Sequence, residues 1–306
     1  MRDDGGIVPI ALVALAILVL TGMDATMKII TQTLPVVQGT LLRYGVAAIV
    51  LLPLFLARRE RIVRPSLPAH IARGTLIAST ASLFFFAISR LPLALVIAIA
   101  FLAPLFIAIL GRIILGEPVA RRTGIAIGTG FSGVLVILAG EIEVGAPAID
   151  LLAFAAAIAA AFGYALAQVL IRRQTATETA VAIVTFQSVV AAAVLVVPGA
   201  FVWEPIPADL LPLAVAVGVM GGTGHLLLAA GLARGKAARL ALIEYTAFPW
   251  AAILGFLLFG EVPRVETLIG AAIIVGSCLY GLRRDAAVPR GRATARVPIP
   301  DRREPS

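Results

Sequence analysis

The chain has 306 residues, of which 60% are hydrophobic and only 14% are charged, and its mean hydropathy is +1.04. Soluble domains carry roughly a quarter charged residues, and no water-soluble core of this length could enclose so much apolar surface. The formal net charge of +8 would suit nucleic-acid binding, but the basic residues lie in short clusters between apolar runs and near the C-terminus. The composition therefore excludes a soluble domain and indicates an integral membrane protein that binds no nucleic acid.

Ten apolar runs are long enough to cross a bilayer, which takes about 20 residues of helix. Short polar or Pro- and Gly-rich segments separate them. The first run follows Arg2 and resembles a signal sequence, but it lacks a small-residue cleavage site, so we expect it to be retained. The predicted spans are Ile7–Ile29, Val36–Leu56, His70–Ile88, Leu91–Leu115, Thr123–Ala139, Ile149–Ile171, Ala180–Phe201, Leu210–Leu232, Ala237–Gly260 and Val265–Leu282.

Basic residues in the loops predict the orientation of these spans. If the N-terminus is cytoplasmic, fourteen Lys and Arg residues flank the spans on that side, and only Arg90 and Arg264 lie on the other. The positive-inside rule then places both termini in the cytoplasm. We expect a multi-pass protein of a bacterial inner (plasma) membrane, in contact with its lipids, with a disordered cytoplasmic tail over residues 285–306.

The chain contains an internal repeat. A proline-led helix ends in Gly116-Glu117 in the fourth span, and a similar one ends in Gly260-Glu261 in the ninth, about 145 residues later. Each half thus carries five predicted helices, and because five is odd, the second half enters the membrane from the opposite side. The predicted fold is all-α, with ten transmembrane helices in two inverted five-helix repeats, residues 1–145 and 146–284, around a central cavity.

With these helix ends, the segments Asp24-Ala-Thr-Met-Lys28 and Arg43-Tyr44 resemble the EamA type of the drug/metabolite transporter superfamily. The resemblance extends over residues 7–284. It implies secondary transport of a small polar metabolite by alternating access, without ATP hydrolysis. Together with Glu244-Tyr245, the same residues most resemble the branch of riboflavin and S-adenosylmethionine uptake proteins.

Nothing in the sequence signals an enzyme or a cofactor site. There is no phosphate-binding Gly-x-x-x-x-Gly-Lys motif, and the only histidines are His70 and His225. Two alternatives to a transporter stay open: an intramembrane lipid-modifying enzyme, whose candidate pair is His225 with Glu244, and a non-transporting membrane scaffold. Coupling to a proton or a counter-solute, and a monomeric or homodimeric state, are also left open.

Three charged residues share one depth in the predicted outer third of the membrane: Asp24, Lys28 and Arg43. Each ionisable side chain in a span costs at least ~2.5–3.5 kcal/mol on insertion scales, so each needs a reason. Asp24 and Lys28 are four residues apart and lie on one helix face. The three either neutralise one another and hold two helices together, or form an outward-facing gate or substrate clamp, while Lys28 alone could extend to the surface.

A second polar layer is predicted in the inner third, from Gln168, Gln187, His225 and Glu244. The repeat carries Lys28 and Arg43 roughly onto the two glutamines. The repeat position of Glu244 lies near Ile99, so symmetry does not demand an acid there. Glu244 either takes part in proton coupling or cargo binding, or pairs with the basic residues that precede it, and His225 either binds cargo or only packs.

Further candidates are aromatic or lie at helix ends. Four aromatic side chains could stack on a flat ligand, although such residues more often pack or anchor a helix at the interface. Glu117 and Glu261 each follow a glycine at a helix end, and we expect structural roles there, in ion pairs with Arg121 or Arg264. No metal site is expected. The aromatic candidates are Tyr44, Tyr164, Tyr245 and Trp250.

Overall fold

The computed structural model describes residues 7–59, 67–116, 121–141, 150–171, 179–232, 234 and 243–282. Every regular element within those ranges is helical. A three-residue 3-10 turn, Ala208–Leu210, leads into the ninth α-helix. The helices are α1 (Ile7–Ile30), α2 (Val36–Ala57), α3 (Leu67–Arg90), α4 (Leu93–Ala100), α5 (Ala103–Leu115), α6 (Arg121–Glu141), α7 (Leu151–Ile171), α8 (Ala180–Phe201), α9 (Leu211–Leu232), α10 (Ala247–Phe259) and α11 (Val265–Leu282).

The helices present apolar side chains to the outside of the bundle as well as to its core. By length and composition, seven helical stretches in the described residues are long and apolar enough to cross a membrane, and three shorter ones are also apolar. Large apolar side chains on the outside, such as Phe201, Ile49 and Leu257, are at least two-thirds exposed. Such a surface is stable only against lipid, so the protein is a multi-pass membrane protein.

The fourth predicted span is broken in the middle, which the sequence analysis did not anticipate. α4 ends at Ala100 and α5 begins at Ala103. Pro104 lies in the first turn of α5, where its missing N–H and its ring interrupt the helical hydrogen bonds. The amides of Phe101 and Leu102 instead bond three residues back, to Ala98 and Ile99. In the ninth span, α10 begins at Ala247, and residues 237–242 lie outside the described part.

Helices of one half of the chain pack along helices of the other half. α1 packs along α9, α2 along α8, α3 along α7 and α6 along α11. Pairs of close contacts show that α1 and α9 are antiparallel, because Val13 meets Gly231 whereas Leu20 meets Gly224. By the same reasoning, α2 and α8, and also α6 and α11, are antiparallel.

The two halves repeat with a constant offset of 144 residues. α2 begins at Val36 and α8 at Ala180, and the starts of α1 and α7, α3 and α9, α5 and α10, and α6 and α11 show the same offset. Side-chain contacts repeat as well. Gly74 packs so tightly against Val190 that an added Cβ would overlap it, and Gly218 packs in the same way against Val46. Each residue of the second contact is the 144-residue counterpart of one in the first.

Five connections between helices lie at one end of the bundle, here called the Glu261 end: α1–α2, α3–α4, α6–α7, α8–α9 and α10–α11. Polar contacts join these connections although they are far apart in sequence. They are Lys28 with Glu261, Arg90 Nη1 with Asp150 Oδ2 (2.9 Å), Arg264 Nη1 with the Gly140 carbonyl, and Gln38 Nε2 with the Glu204 carbonyl (2.8 Å).

Candidate functional site

A closed network of charges surrounds Lys28 at the Glu261 end. The buried Lys28 ammonium forms an ion pair with Glu261 and donates a hydrogen bond to the Leu91 carbonyl at 2.6 Å. The other carboxylate oxygen of Glu261 accepts the Leu93 amide hydrogen at 2.8 Å, at the first residue of α4. The network therefore joins α1, the start of α4 and the end of α10, and it satisfies both charges.

The Gly-Glu motif of the ninth span explains how this network is built. Gly260 adopts a left-handed conformation with φ of 69°, which ends α10 and lets the Glu261 amide bond back to the Gly255 carbonyl. Gly255 then leaves room for the carboxylate, because an added Cβ at 255 would lie 3.0 Å from Glu261 Oε2. The predicted helix-end role of Glu261 fits this geometry, but its partner is Lys28 rather than Arg264. Glu117, its counterpart, lies outside the described residues.

One turn before Lys28, Asp24 belongs to a different group, here called the Asp24 group and made of Asp24, Arg43 and His225. The three side chains come from α1, α2 and α9, so both halves of the chain contribute. Asp24 and Arg43 are buried, and Arg43 Nε contacts Met23, the residue before Asp24. Arg43 and His225 both lie beside Gly221 of α9. No described side chain forms an ion pair with Asp24 within 4.0 Å, and none donates a hydrogen bond to its carboxylate.

Aromatic rings and a sulfur atom position the Arg43 guanidinium. It lies over the Tyr44 ring at 4.1 Å and over the Phe85 ring at 5.7 Å, and Nε points at Met23 Sδ at 3.0 Å. Stacking of this kind suits arginine, whose planar cation is weakly hydrated. Gly221 of α9 provides the space beside it, because a Cβ there would lie 3.2 Å from Nε.

His225 joins the group through the same part of α9. Its Nδ1 lies 2.7 Å from the Gly221 carbonyl, and because a carbonyl only accepts, Nδ1 carries the hydrogen. Nε2 is then the ring atom left for another partner. Counting the rise along straight helices puts His225 and Arg43 in opposite thirds of the membrane, and this difference in depth stays a prediction. The structure brings them within electrostatic range.

The remaining members of the predicted inner layer fall into two separate places. Gln168 donates to the Tyr164 hydroxyl at 2.9 Å, and Tyr164 lies within electrostatic range of the half-buried Glu244. Gln187 instead accepts a hydrogen bond from Arg73 Nη1 at 2.6 Å. The common depth of these residues stays a prediction, but their side chains have separate partners, because depth along a helix does not fix the direction in which a side chain points. With the 144-residue offset, Gln168 is the counterpart of Asp24 rather than of Lys28.

Arg73 is a buried residue that the sequence analysis missed. Besides Gln187, it donates to the Ile183 carbonyl at 3.3 Å, and His70 packs edge-on against Phe186 nearby. Both side chains lie near the start of α3 and face α8. A basic residue one turn after His70, inside a predicted span, is the signal that could have revealed this cluster.

Two aromatic candidates lie apart from the Asp24 group. Tyr245 packs edge-on against Phe101, between the two halves of the broken fourth span, with ring centres 5.0 Å apart. Trp250 is 37% exposed and shares a helix face with the exposed Ile253 and Leu257. The structure therefore places Trp250 on the lipid-facing side of α10, as an interface or packing residue, rather than beside the charged candidates.

The sequence profile of the EamA-like transporter family matches this chain twice, over residues 7–139 and again over residues 149–282. The chain belongs to the EamA-like transporter family. The first match extends from α1 into α6, and the second extends over α7 to α11. The repeat offset and the helix ends that carried the sequence resemblance thus agree with an independent comparison.

Curated relatives of this EamA-like chain are named as transporters. The pseudopaline exporter CntI of Pseudomonas aeruginosa (strain UCBPP-PA14) is 26% identical over 278 residues, covering 88% of this chain and 94% of that protein. An S-adenosylmethionine uptake transporter of Rickettsia bellii is 26% identical, with 84% and 87% covered. A riboflavin transporter of Brucella anthropi is 23% identical, with 81% and 88% covered. These relatives confirm the predicted superfamily and support a membrane transporter of a small molecule.

A solved crystal structure shares the fold of this family member. It superposes with a TM-score of 0.60 at 21% identity and covers 88% of this chain and 95% of the other. At this identity the likeness concerns the fold alone.

Proposed function

We propose that this chain is a secondary transporter that moves a small polar metabolite across the bacterial inner membrane by alternating access, without ATP hydrolysis. Residues 1–145 and 146–284 are proposed as two inverted five-helix repeats, giving ten crossings. The cargo is proposed to bind between the halves, where helices of both contribute side chains.

The observation that carries the proposal is the antiparallel packing of counterpart helices. α2 and α8 begin 144 residues apart and lie side by side in opposite directions, as do α6 and α11. A repeat about an axis along the membrane normal would leave counterparts parallel. Antiparallel counterparts support an axis in the membrane plane, which gives two related states that open to opposite sides.

The proposed orientation has both termini and the end opposite Glu261 in the cytoplasm. Arg58, Arg59, Arg121 and Arg234 lie at that opposite end, whereas the Glu261 end holds Arg90 and Arg264. The positive-inside rule therefore favours a periplasmic Glu261 end. Reporter fusions after Arg59 and after Glu141 should read cytoplasmic and periplasmic, respectively.

Coupling is proposed to involve Glu244, the half-buried acid beside Tyr164. Its counterpart, Ala100, cannot ionise, so packing of the repeat alone does not require a carboxylate there. If Glu244 carries a proton, Glu244→Gln should stay folded but lose the pH dependence of uptake. If it contacts a cationic cargo instead, the same change should raise the apparent KM with little effect on kcat.

Solute counterflow in liposomes tests the transport mechanism. Purified protein is reconstituted with unlabelled solute inside, and labelled amino acids, nucleosides and vitamins are supplied outside in turn. A carrier accumulates the label transiently above equilibrium, whereas a channel only equilibrates it, and protein-free liposomes give the background. The absence of counterflow for every solute would contradict the proposal.

A further inference from the structure

We propose that the Asp24 group binds the dipolar head of a zwitterionic cargo, with its cationic group at Asp24 and its anionic group at Arg43. This inference rests on the proposed transport function and specifies its cargo class. It would apply to any solute that carries an ammonium group and a carboxylate close together, as α-amino acids and their derivatives do.

Asp24 and Arg43 carry opposite charges inside the membrane, yet neither forms an ion pair with a described residue. At low dielectric the attraction between a carboxylate and a guanidinium is far stronger than in water, so neighbouring charges should close into an ion pair unless something holds them apart. Here Tyr44 and Phe85 stack on the guanidinium of Arg43, and Asp24 has no ion pair among the described residues. A gap between opposite charges suits a ligand that carries both.

The charged atoms of Asp24 and Arg43 are accessible. The two residues are only 8% and 5% exposed, but none of their side-chain oxygen or nitrogen atoms is both fully enclosed and without a hydrogen-bond partner. The carboxylate and the terminal guanidinium nitrogens therefore border space that a water molecule or a ligand group can enter. The neighbouring charge of Lys28 takes no part, because Glu261 and the Leu91 carbonyl already satisfy it.

The opposite charges of Asp24 and Arg43 favour a cargo that carries both signs. A purely anionic cargo would pair with Arg43, but its negative charge would also lie beside the Asp24 carboxylate. A purely cationic cargo would pair with Asp24, but its positive charge would lie beside the Arg43 guanidinium. Leaving a buried charge unpaired is costly, so a single charge on the ligand would satisfy only half of the group. His225 leaves Nε2 as a further hydrogen-bonding atom of the group, because Nδ1 already donates to Gly221. A dipolar ligand would satisfy both charges.

Matched ligands and variants test this assignment. Binding to the purified protein is measured by calorimetry for L-phenylalanine, for its amide, which lacks the carboxylate, and for 3-phenylpropanoate, which lacks the ammonium group. L-serine, its amide and 3-hydroxypropanoate form a second series with a small polar side chain. The wild type should bind at least one zwitterion about tenfold or more tightly than both of its analogues, the loss expected for one charged hydrogen bond.

The variants should remove these preferences one at a time. Arg43→Gln should bind the zwitterion and its amide equally well, but should still prefer the zwitterion to the acid that lacks the ammonium group. Asp24→Asn should bind the zwitterion and that acid equally well, but should still prefer the zwitterion to the amide. Arg43→Lys retains the charge and should retain both preferences, and Arg90→Gln at the surface serves as a matched control. Thermal unfolding without ligand identifies any variant that has lost its fold.

Equal affinities within both series would overturn the assignment, and so would preferences that Asp24→Asn and Arg43→Gln leave unchanged. Failure of all six compounds to bind would also overturn it. Counterflow of another solute in that case would leave the proposed transport function standing, whereas no counterflow at all would show that the transport proposal itself fails.

Discussion

Lys28 and Asp24 are one turn apart on the same helix, yet their surroundings differ. The Lys28 ammonium contacts Glu261 and the Leu91 carbonyl, so its charge is neutralised and two of its three hydrogens are bonded. Asp24 is equally buried, but no described residue forms an ion pair with it. A charge with complete protein partners stabilises helix packing, whereas one without them remains available to a ligand. Burial alone therefore does not separate structural from functional charges in a membrane protein.

The largest effect should follow from breaking the Lys28 network on one side. Lys28→Met leaves the Glu261 carboxylate buried without its counter-ion and should destabilise the protein by about 3–5 kcal/mol. The double variant Lys28→Met/Glu261→Gln removes both charges and should cost less than Lys28→Met alone. Equilibrium unfolding in detergent micelles measures the free energy of unfolding of both variants and of Glu261→Gln alone. If the cost of the double variant equals the sum of the two single costs, the two residues do not interact.

A smaller effect is expected from crowding the same network. Gly255→Ala places a methyl group 3.0 Å from Glu261 Oε2 and should cost about 1–3 kcal/mol, the range for overpacking. Gly276→Ala on α11 is the matched control, because no atom lies within 4 Å of the added Cβ. That change should be neutral or stabilise by up to about 1 kcal/mol, through helix propensity. Equal unfolding free energies for the two variants would argue against a role for Gly255 in seating Glu261.

Neutralising Asp24 should affect stability even less, which separates the two regions. Asp24→Asn breaks no ion pair, so the free energy of unfolding should stay within about 1 kcal/mol of the wild type or increase. The same micelle unfolding measurement applies. If Asp24→Asn costs as much as Lys28→Met, Asp24 belongs to a structural pair and the contrast between the regions disappears.

The smallest effect should come from an exposed charge at the Glu261 end. Asp150 accepts the Ala153 amide hydrogen at 2.9 Å, and this bond, helped by Arg90, holds the pKa of its carboxyl below the ordinary value. Because the pKa of Asp150 is lower in the folded than in the unfolded protein, its ionisation stabilises the fold at pH values above the unfolded-state pKa. This stabilisation is lost as the pH falls through the folded-state pKa. The unfolding temperature of Asp150→Asn should thus lie slightly below that of the wild type at pH 7 and approach it below about pH 4. A difference that grows on acidification would contradict this sign.

Sequence patterns predicted the positions of the helices better than the side-chain contacts between them. The doubled Gly-Glu ends and the length of the apolar runs predicted helix positions that agree with the structure to within a few residues in most spans. The break at Phe101 and Leu102 was missed, because a proline early in an apolar run is compatible with either a kink or a new helix start. Arg73 was missed although it lies inside the predicted span His70–Ile88, because its buried partner Gln187 is 114 residues away in sequence.

What the sequence determined by itself is local: apolar length, proline and glycine positions, the repeat, and the choice of lipid as solvent. These depend on properties of single segments, which are present before the chain folds. Only the tertiary structure decided that Lys28 pairs with a residue 233 positions away, and that Asp24, Arg43 and His225 form one group while Gln168 and Gln187 do not. Depth along a helix follows from counting residues, but direction around the helix and the tilt between helices follow from packing. For buried charges, direction and tilt decide which partner satisfies which charge.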